Sequence, residues 1–306
     1  QHTTSSEGAD FDPSVDPAGK RLVFASTRHS RFSHLYIKPI EGTTLTQLTD
    51  ESANDAQPVF SPDGRRVAFT SDRAGQWDIW MIDLNGHNAI QITQSPMVEL
   101  HPSWSPDGTR IVYCRVNPRE SRGELWIANL DRPGVKQMIG EGLFPSWSPK
   151  ADKIAFQKAR TRGSRVFSVW TIELTGDEPA FPTEVASIAN MALIAPTWSA
   201  DGTQLAFSAV SGLDTKASDE TRWSSGWGRA DIGIVDADGR GLQRLTYGRG
   251  EGYSPYWASD DRIYFTAKFD RSETIWSVKP FRPVAPSEPS ITSGPRRAAD
   301  ASGGDE

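Results

Sequence analysis

Three acidic residues stand at matching places along the chain: Asp10, Asp55 and Glu99 each lie three residues before a proline, namely Pro13, Pro58 and Pro102. Three later stretches hold Gly142, Leu193 and Gly252 at the same point, so the acidity is confined to the first half. Directly before the same prolines stand Asp12, Gln57, His101, Phe144, Ala195 and Ser254. Clustered carboxylates suit a hard divalent cation such as Ca²⁺ or a docking surface for the basic groups of a partner, and Asp55, Glu99 and His101 are the residues such an ion would take. Glu99 and His101 are the only metal pair by residue type, and two ligands without a third do not define a zinc-type site. The competing chemistry is ion pairing, because Arg28, Arg73 and Arg160 each follow an aromatic by four residues and recur with the same register. No organic cofactor is predicted, and a divalent cation is the one inorganic group considered.

A second chemical departure is Trp223-Ser224-Ser225-Gly226-Trp227-Gly228. It sits in a connection that has outgrown its counterparts: Phe69 to Asp78 spans 9 positions, Phe207 to Asp231 spans 24. Long connections in compact domains are functional or disordered, and Trp argues against simple disorder, so Trp223 and Trp227 are predicted to anchor a partner. Other chemistry is absent from the sequence. There is no Gly-x-Ser-x-Gly elbow, no phosphate-cradling glycine loop and no zinc-spaced Cys/His set. Asp236-Ala237-Asp238-Gly239 reads as a hairpin turn rather than half a calcium loop, and Cys114 as a small core residue. His29, His34 and His87 fall in connections and are expected to face solvent.

The elements that must position these residues come from an internal repeat. Prolines 13, 58, 102, 145, 196 and 255 are separated by 45, 44, 43, 51 and 59 residues. Each opens an aromatic-rich run that closes on a turn. The clearest copies are Pro58-Val59-Phe60-Ser61-Pro62-Asp63-Gly64, Pro102-Ser103-Trp104-Ser105-Pro106-Asp107-Gly108 and Pro196-Thr197-Trp198-Ser199-Ala200-Asp201-Gly202. Pro presets one turn dihedral, Asp bonds its own backbone, and Gly supplies the positive φ that reverses the chain. A second strand signal ends on an aromatic, as in Val67-Ala68-Phe69 or Leu205-Ala206-Phe207, a third reads like Asp78-Ile79-Trp80-Met81-Ile82, and a fourth closes on Gln47-Leu48-Thr49 or Gln91-Ile92-Thr93. A period in the forties with four short strands per unit means propeller blades. The fold is therefore predicted to be all-β, a six-bladed β-propeller of four-stranded antiparallel blades, starting near residues 10, 55, 99, 142, 193 and 252.

With strands lettered A to D from the axis outward, the Ser-Pro-Asp-Gly turns lie on the bottom face, and the D-to-A and B-to-C connections lie on the top. Asp10, Asp55, Glu99 and His101 then belong to the top entrance of the channel and the Trp223–Trp227 stretch to the same face, and all six residues Asp10, Asp55, Glu99, His101, Trp223 and Trp227 are predicted to contact the partner. Counting back from Pro13 puts His2-Thr3-Thr4 at the end of an outer strand, while Ser290-Ile291-Thr292-Ser293-Gly294 reads as another; one of the two is expected to complete the ring.

The grammar resembles the WD-like repeats of the TolB family, with its proline, aromatic, Ser-Pro-Asp-Gly, Asp-Ile-Trp and Gln-Leu-Thr signatures, over about residues 8 to 280. The resemblance implies a periplasmic or cell-surface scaffold that binds a protein or peptide, as a monomeric propeller or as part of a larger complex. Similar repeats also occur in peptidase propellers and lyases, which leaves a metal-dependent enzyme with its site at the channel mouth as the alternative. Fold does not fix function.

Composition limits the remaining classes. The net charge of −6, with no basic run longer than two residues, argues against nucleic-acid binding. No stretch approaches the length of apolar sequence that crosses a membrane, so membrane insertion is not expected. The lone Cys114 forbids an internal disulfide. The first residue is Gln rather than Met, which together with the resemblance leads us to expect an exported, periplasmic or extracellular protein. Residues 1–294 are expected to form one propeller and residues 295–306, rich in Ala, Gly, Ser and charge, a disordered tail.

Overall fold

The computed structural model of the chain describes residues 1–4, 8–85, 88–117, 122–160, 166–176, 178–211, 229–247, 250–269 and 272–280. They form six antiparallel sheets with the strand order A-B-C-D, each strand pairing with the next in sequence. Blade two is representative: Asp55–Phe60, Arg66–Ser71, Asp78–Asp83 and Ala89–Gln91. The six-bladed, four-stranded propeller read from the repeat is the fold observed.

Among the described residues, blade six has three strands of its own, Glu251–Trp257, Ile263–Phe269 and Ser272–Val278. Its fourth position is taken by the N-terminus. The backbone N–H of His2 donates to the carbonyl of Ile275 at 2.7 Å, and the N–H of Ile275 donates to Thr3 Oγ1 at 3.0 Å. These bonds repeat those of complete blades, where Leu35, Ile79 and Ile232 donate to Thr49, Thr93 and Thr246 at 2.9 Å each. The His2-Thr3-Thr4 segment thus completes the ring; the Ser290–Gly294 stretch and residues 295–306 lie outside the described residues.

The core is divided among the blade interfaces. One cluster joins Val23, Ala25 and Leu35 of blade one to Phe60, Val67, Phe69 and Ile82 of blade two. Equivalent clusters follow around the ring, and the last joins Val15, Leu22, Phe24 and Tyr36 to Ala258, Tyr264 and Ile275 across the closure. Each sheet therefore buries both faces, and the strand-B residues are consequently apolar without alternation. The strand-A aromatics Phe60, Trp104, Trp147, Trp198 and Trp257 are buried, and the indoles of Trp104 and Trp198 donate to the Val59 and Ser146 carbonyls of the preceding blade. The strand-C tryptophans differ. Trp80, Trp126, Trp170 and Trp276 are half-buried, and Arg73, Arg115 and Lys158 lie over the first three rings at 5.0, 3.9 and 5.2 Å, a cation–π lid at the blade surface.

Every innermost strand carries a bulge at its marker proline. The ladder slips between Phe11 and Ser14, Ala56 and Val59, Leu143 and Ser146, Ile194 and Thr197, and Tyr253 and Tyr256, with the matching slip in blade three opposite Val112 and Cys114. Proline has no N–H to give to the ladder. The residue before it answers by turning left-handed, with φ between 48° and 57° at Asp12, Gln57, His101, Phe144, Ala195 and Ser254.

Candidate functional site

The bulges place these six side chains around one cavity of about 140 Å³ on the axis, together with their prolines and Val59, Ser103, Ser146, Thr197 and Tyr256. A polar arc and an apolar arc face each other. On the polar side Gln57 Oε1 accepts from the Thr70 hydroxyl at 2.8 Å and from the backbone N–H of His101 at 2.9 Å, while Gln57 Nε2 meets His101 Nε2 at 2.8 Å. The other His101 nitrogen, Nδ1, lies 3.3 Å from Cys114 Sγ. Enclosure pushes the imidazole down to about 3, so His101 is neutral at ordinary pH. Burial likewise raises the Cys114 thiol to about 12, which makes it a poor nucleophile.

Asp12, not Asp10, is the carboxylate that the described residues bring to the cavity. Its backbone N–H donates to Thr266 Oγ1 at 3.1 Å. Burial pushes its carboxyl above the usual range, partly offset by Ser254 and by the backbone N–H of Gln57. On the apolar side the Phe144 ring stacks against His101 at 3.6 Å between centroids, and the N–H of Ala195 donates to Gln157 Oε1 at 3.0 Å.

Asp10, Asp55 and Glu99 lie behind this ring, fully buried. Each faces an arginine: Arg28 at 2.6 Å from Asp10, Arg73 at 2.9 Å from Asp55 and Arg115 at 3.0 Å from Glu99. The third partner is Arg115 rather than Arg160, which is exposed. In blades one and two the residue opposite the acid is a serine, Ser26 or Ser71, and the arginine reaches in from two residues further on. In blade three Arg115 itself pairs with Glu99 in the ladder, so no intermediate serine is needed. A repeat-based offset from the aromatic could not find it, whereas the cross-strand register could.

Asp55, Glu99 and His101 are therefore not gathered around one point, and both ring nitrogens of His101 already have neighbours. Among the described residues no group of three His, Cys, Asp or Glu could hold a metal ion, so the residues present do not fit a metal centre. Trp223 and Trp227 lie outside the described residues, as does His87. The connection that carries the two tryptophans leaves from Ser211 and returns at Arg229, which are joined by Ser211 N–H to Arg229 O at 2.9 Å. His34, expected in solvent, is buried. It opens strand C of blade one, the place held by Asp78 in blade two.

Among the described residues no helix is long and apolar enough to cross a membrane. Among known proteins, the chain is 35% identical over 81 residues to the Tol-Pal system protein TolB of Roseobacter denitrificans, a stretch covering 26% of this chain and 17% of that protein. Such matches span a quarter or less of the curated relatives' length. The structure of TolB from Acinetobacter baumannii is similar with a TM-score of 0.68 at 14% identity, covering 86% of this chain and 62% of that one. An oligogalacturonate lyase in complex with manganese is similar with a TM-score of 0.58 at 15% identity, covering 85% and 71%. At such identities these structures share the fold and nothing finer. The TolB beta propeller domain matches residues 1–85 and 76–212, and on that span, with the six observed blades, the chain belongs to the TolB beta propeller family.

Proposed function

We propose that this propeller is a non-catalytic binding scaffold, exported to the periplasm or cell exterior, that engages a protein or peptide through its top face. The observation that carries the reading is where the repeat is broken. The one connection enlarged to residues 212–228 springs from the top of blade five, between Ser211 and Arg229. At the upper end of the same blade's outer strand, Tyr247 is 74% exposed, and Arg244 lies 4.7 Å over its ring. Trp223 and Trp227 supply aromatic anchors of the kind that dominate interfaces. His101 stands at the channel, and Asp10, Asp55 and Glu99, buried and held by their arginines, brace the top of the first three blades.

The test is a photocrosslinker placed either at Tyr247 on the top or at Asn85 or Gly239 on the bottom turns, with partners recovered from the native source. We expect crosslinks from Tyr247, and weakening of the recovered complex by about 1–4 kcal/mol in Trp223→Ala or Trp227→Ala. Crosslinks from the bottom turns alone would overturn the reading.

A further inference from the structure

The six residues before the marker prolines share a cost that glycine would avoid. A side chain with a Cβ in the left-handed region is disfavoured by roughly 1–2 kcal/mol, and elsewhere among the described residues the chain meets positive φ mostly with glycine, as at Gly19, Gly64, Gly108 and Gly202, with Phe181, Asn190 and Asp261 as exceptions. Around the channel it never does. Backbone strain concentrated at one place is a pointer to function, and here it projects six side chains into one cavity of about 140 Å³.

The lining specifies what would fit. Among the described residues that line the cavity Asp12 is the only acid and none is Lys or Arg, while His101 is held neutral by enclosure. The charge of Glu273 acts on Asp12 in the same direction as burial, raising its pKa. A carboxylate enclosed without a cation is costly, and a cation brought by a ligand relieves that cost. Opposite it, Phe144 and Ala195 are apolar, and Phe144 with His101 offers ring faces that attract positive charge. The Ser254 hydroxyl flanks the carboxylate and can accept from an N–H group. The volume is that of a benzene-sized molecule, because an apolar cavity of about 150 Å³ holds benzene.

We propose that the channel cavity binds an organic ammonium ion with a short apolar stem, its nitrogen at Asp12 beside Ser254 and its stem against Phe144 and Ala195. The group can come from a free amine or from a lysine side chain, and both are tested. The site is independent of the partner-binding reading, since it needs neither Trp223 nor Trp227.

The experiment is calorimetric titration and thermal shift of the full chain with n-butylammonium, with n-butanol as the neutral isostere, CaCl₂ as a bare cation and an acetylated, amidated Gly-Lys-Gly peptide as the side-chain source. We expect n-butylammonium to bind and raise the melting temperature, n-butanol and Ca²⁺ to bind at least about tenfold more weakly, and Asp12→Asn to lose at least about tenfold in affinity. Binding of the peptide assigns the ammonium to a lysine side chain; its failure alongside n-butylammonium binding assigns it to a free amine. Ala195→Phe, at a backbone conformation where Phe144 already carries that ring, fills the cavity with the carboxylate intact and should also abolish binding. Both variants are first checked for folding by circular dichroism; if Asp12→Asn fails to fold, Ala195→Phe carries the test. No binding by n-butylammonium, equal binding of n-butanol or Ca²⁺, or undiminished binding in the folded variants overturns the proposal.

Discussion

At the scale of single residues, the top of blades two and three holds two buried carboxylates that look at each other. Asp78 Oδ1 and Glu99 Oε2 each lack a hydrogen-bond partner, although Asp78 Oδ2 accepts from Gln91 Nε2 at 2.9 Å. Burial first, and the neighbouring Glu99 charge second, push Asp78 up to about 6. An unfolded Asp titrates near 4, so the folded state holds this proton more tightly than the unfolded one does. The stabilisation from that proton is complete below about pH 4 and is lost as pH rises through about 6. Asp78→Asn should flatten this part of the stability profile, and be more stable than the parent at pH 7 by about 1–3 kcal/mol. Urea denaturation of both proteins between pH 4 and 7 checks it; parallel profiles would show that the pair does not share a proton.

At the scale of elements, the two turns that punctuate strand A obey different rules. The bottom turn needs a left-handed residue: Gly64 (φ 68°), Gly108 (φ 71°) and, in blade six, an aspartate, Asp261 (φ 61°). A Cβ at Gly64 would also stand 3.3 Å from Pro17 Cδ, whereas at Gly108 the nearest atom is 3.8 Å away. Valine should therefore cost roughly 1–3 kcal/mol at either site, and more at Gly64. Ala151 occupies this place in blade four, outside the left-handed region, and should tolerate valine. The top bulge accepts non-glycine residues under strain, so Ala195→Gly, which removes only a methyl group, should stabilise the protein by about 0.5–1 kcal/mol. A denaturant series over the four variants is sufficient, and a destabilised Ala195→Gly would mean that the methyl group packs for more than its backbone costs.

At the scale of the whole molecule, the ring is a set of blade interfaces closed by a few residues. Thr3 is buried and caps Ile275 N–H, and His2 adds the next bond, while its imidazole packs on Tyr264 at 4.8 Å. Thr3→Val keeps the shape but leaves a buried N–H without its partner, at a cost of about 1–3 kcal/mol. Removing residues 1–4 should destabilise further and raise amide exchange in Ser272–Val278 before other strands. Uniform exchange across all six blades would mean that closure does not limit local opening.

The repeat itself was legible because its signals are local. Proline, Asp-Gly and aromatic alternation fix turns and strands within a few residues, and six copies of one unit admit a closed ring of blades. Within that frame, Asp10, Asp55 and Glu99 were recognisable as a set and their pairing with arginine as one of two chemistries. The rest depends on contacts between residues distant in the chain. That Asp12 rather than Asp10 faces the cavity follows from a bulge, where one extra residue turns the side chains that follow. That Arg115 replaces Arg160 follows from a cross-strand register, and that Thr3 completes blade six follows from closure between residues more than 270 positions apart. Local sequence determined the blades; the closing of the ring decided which side chains meet at its centre, because only there do all six blades converge.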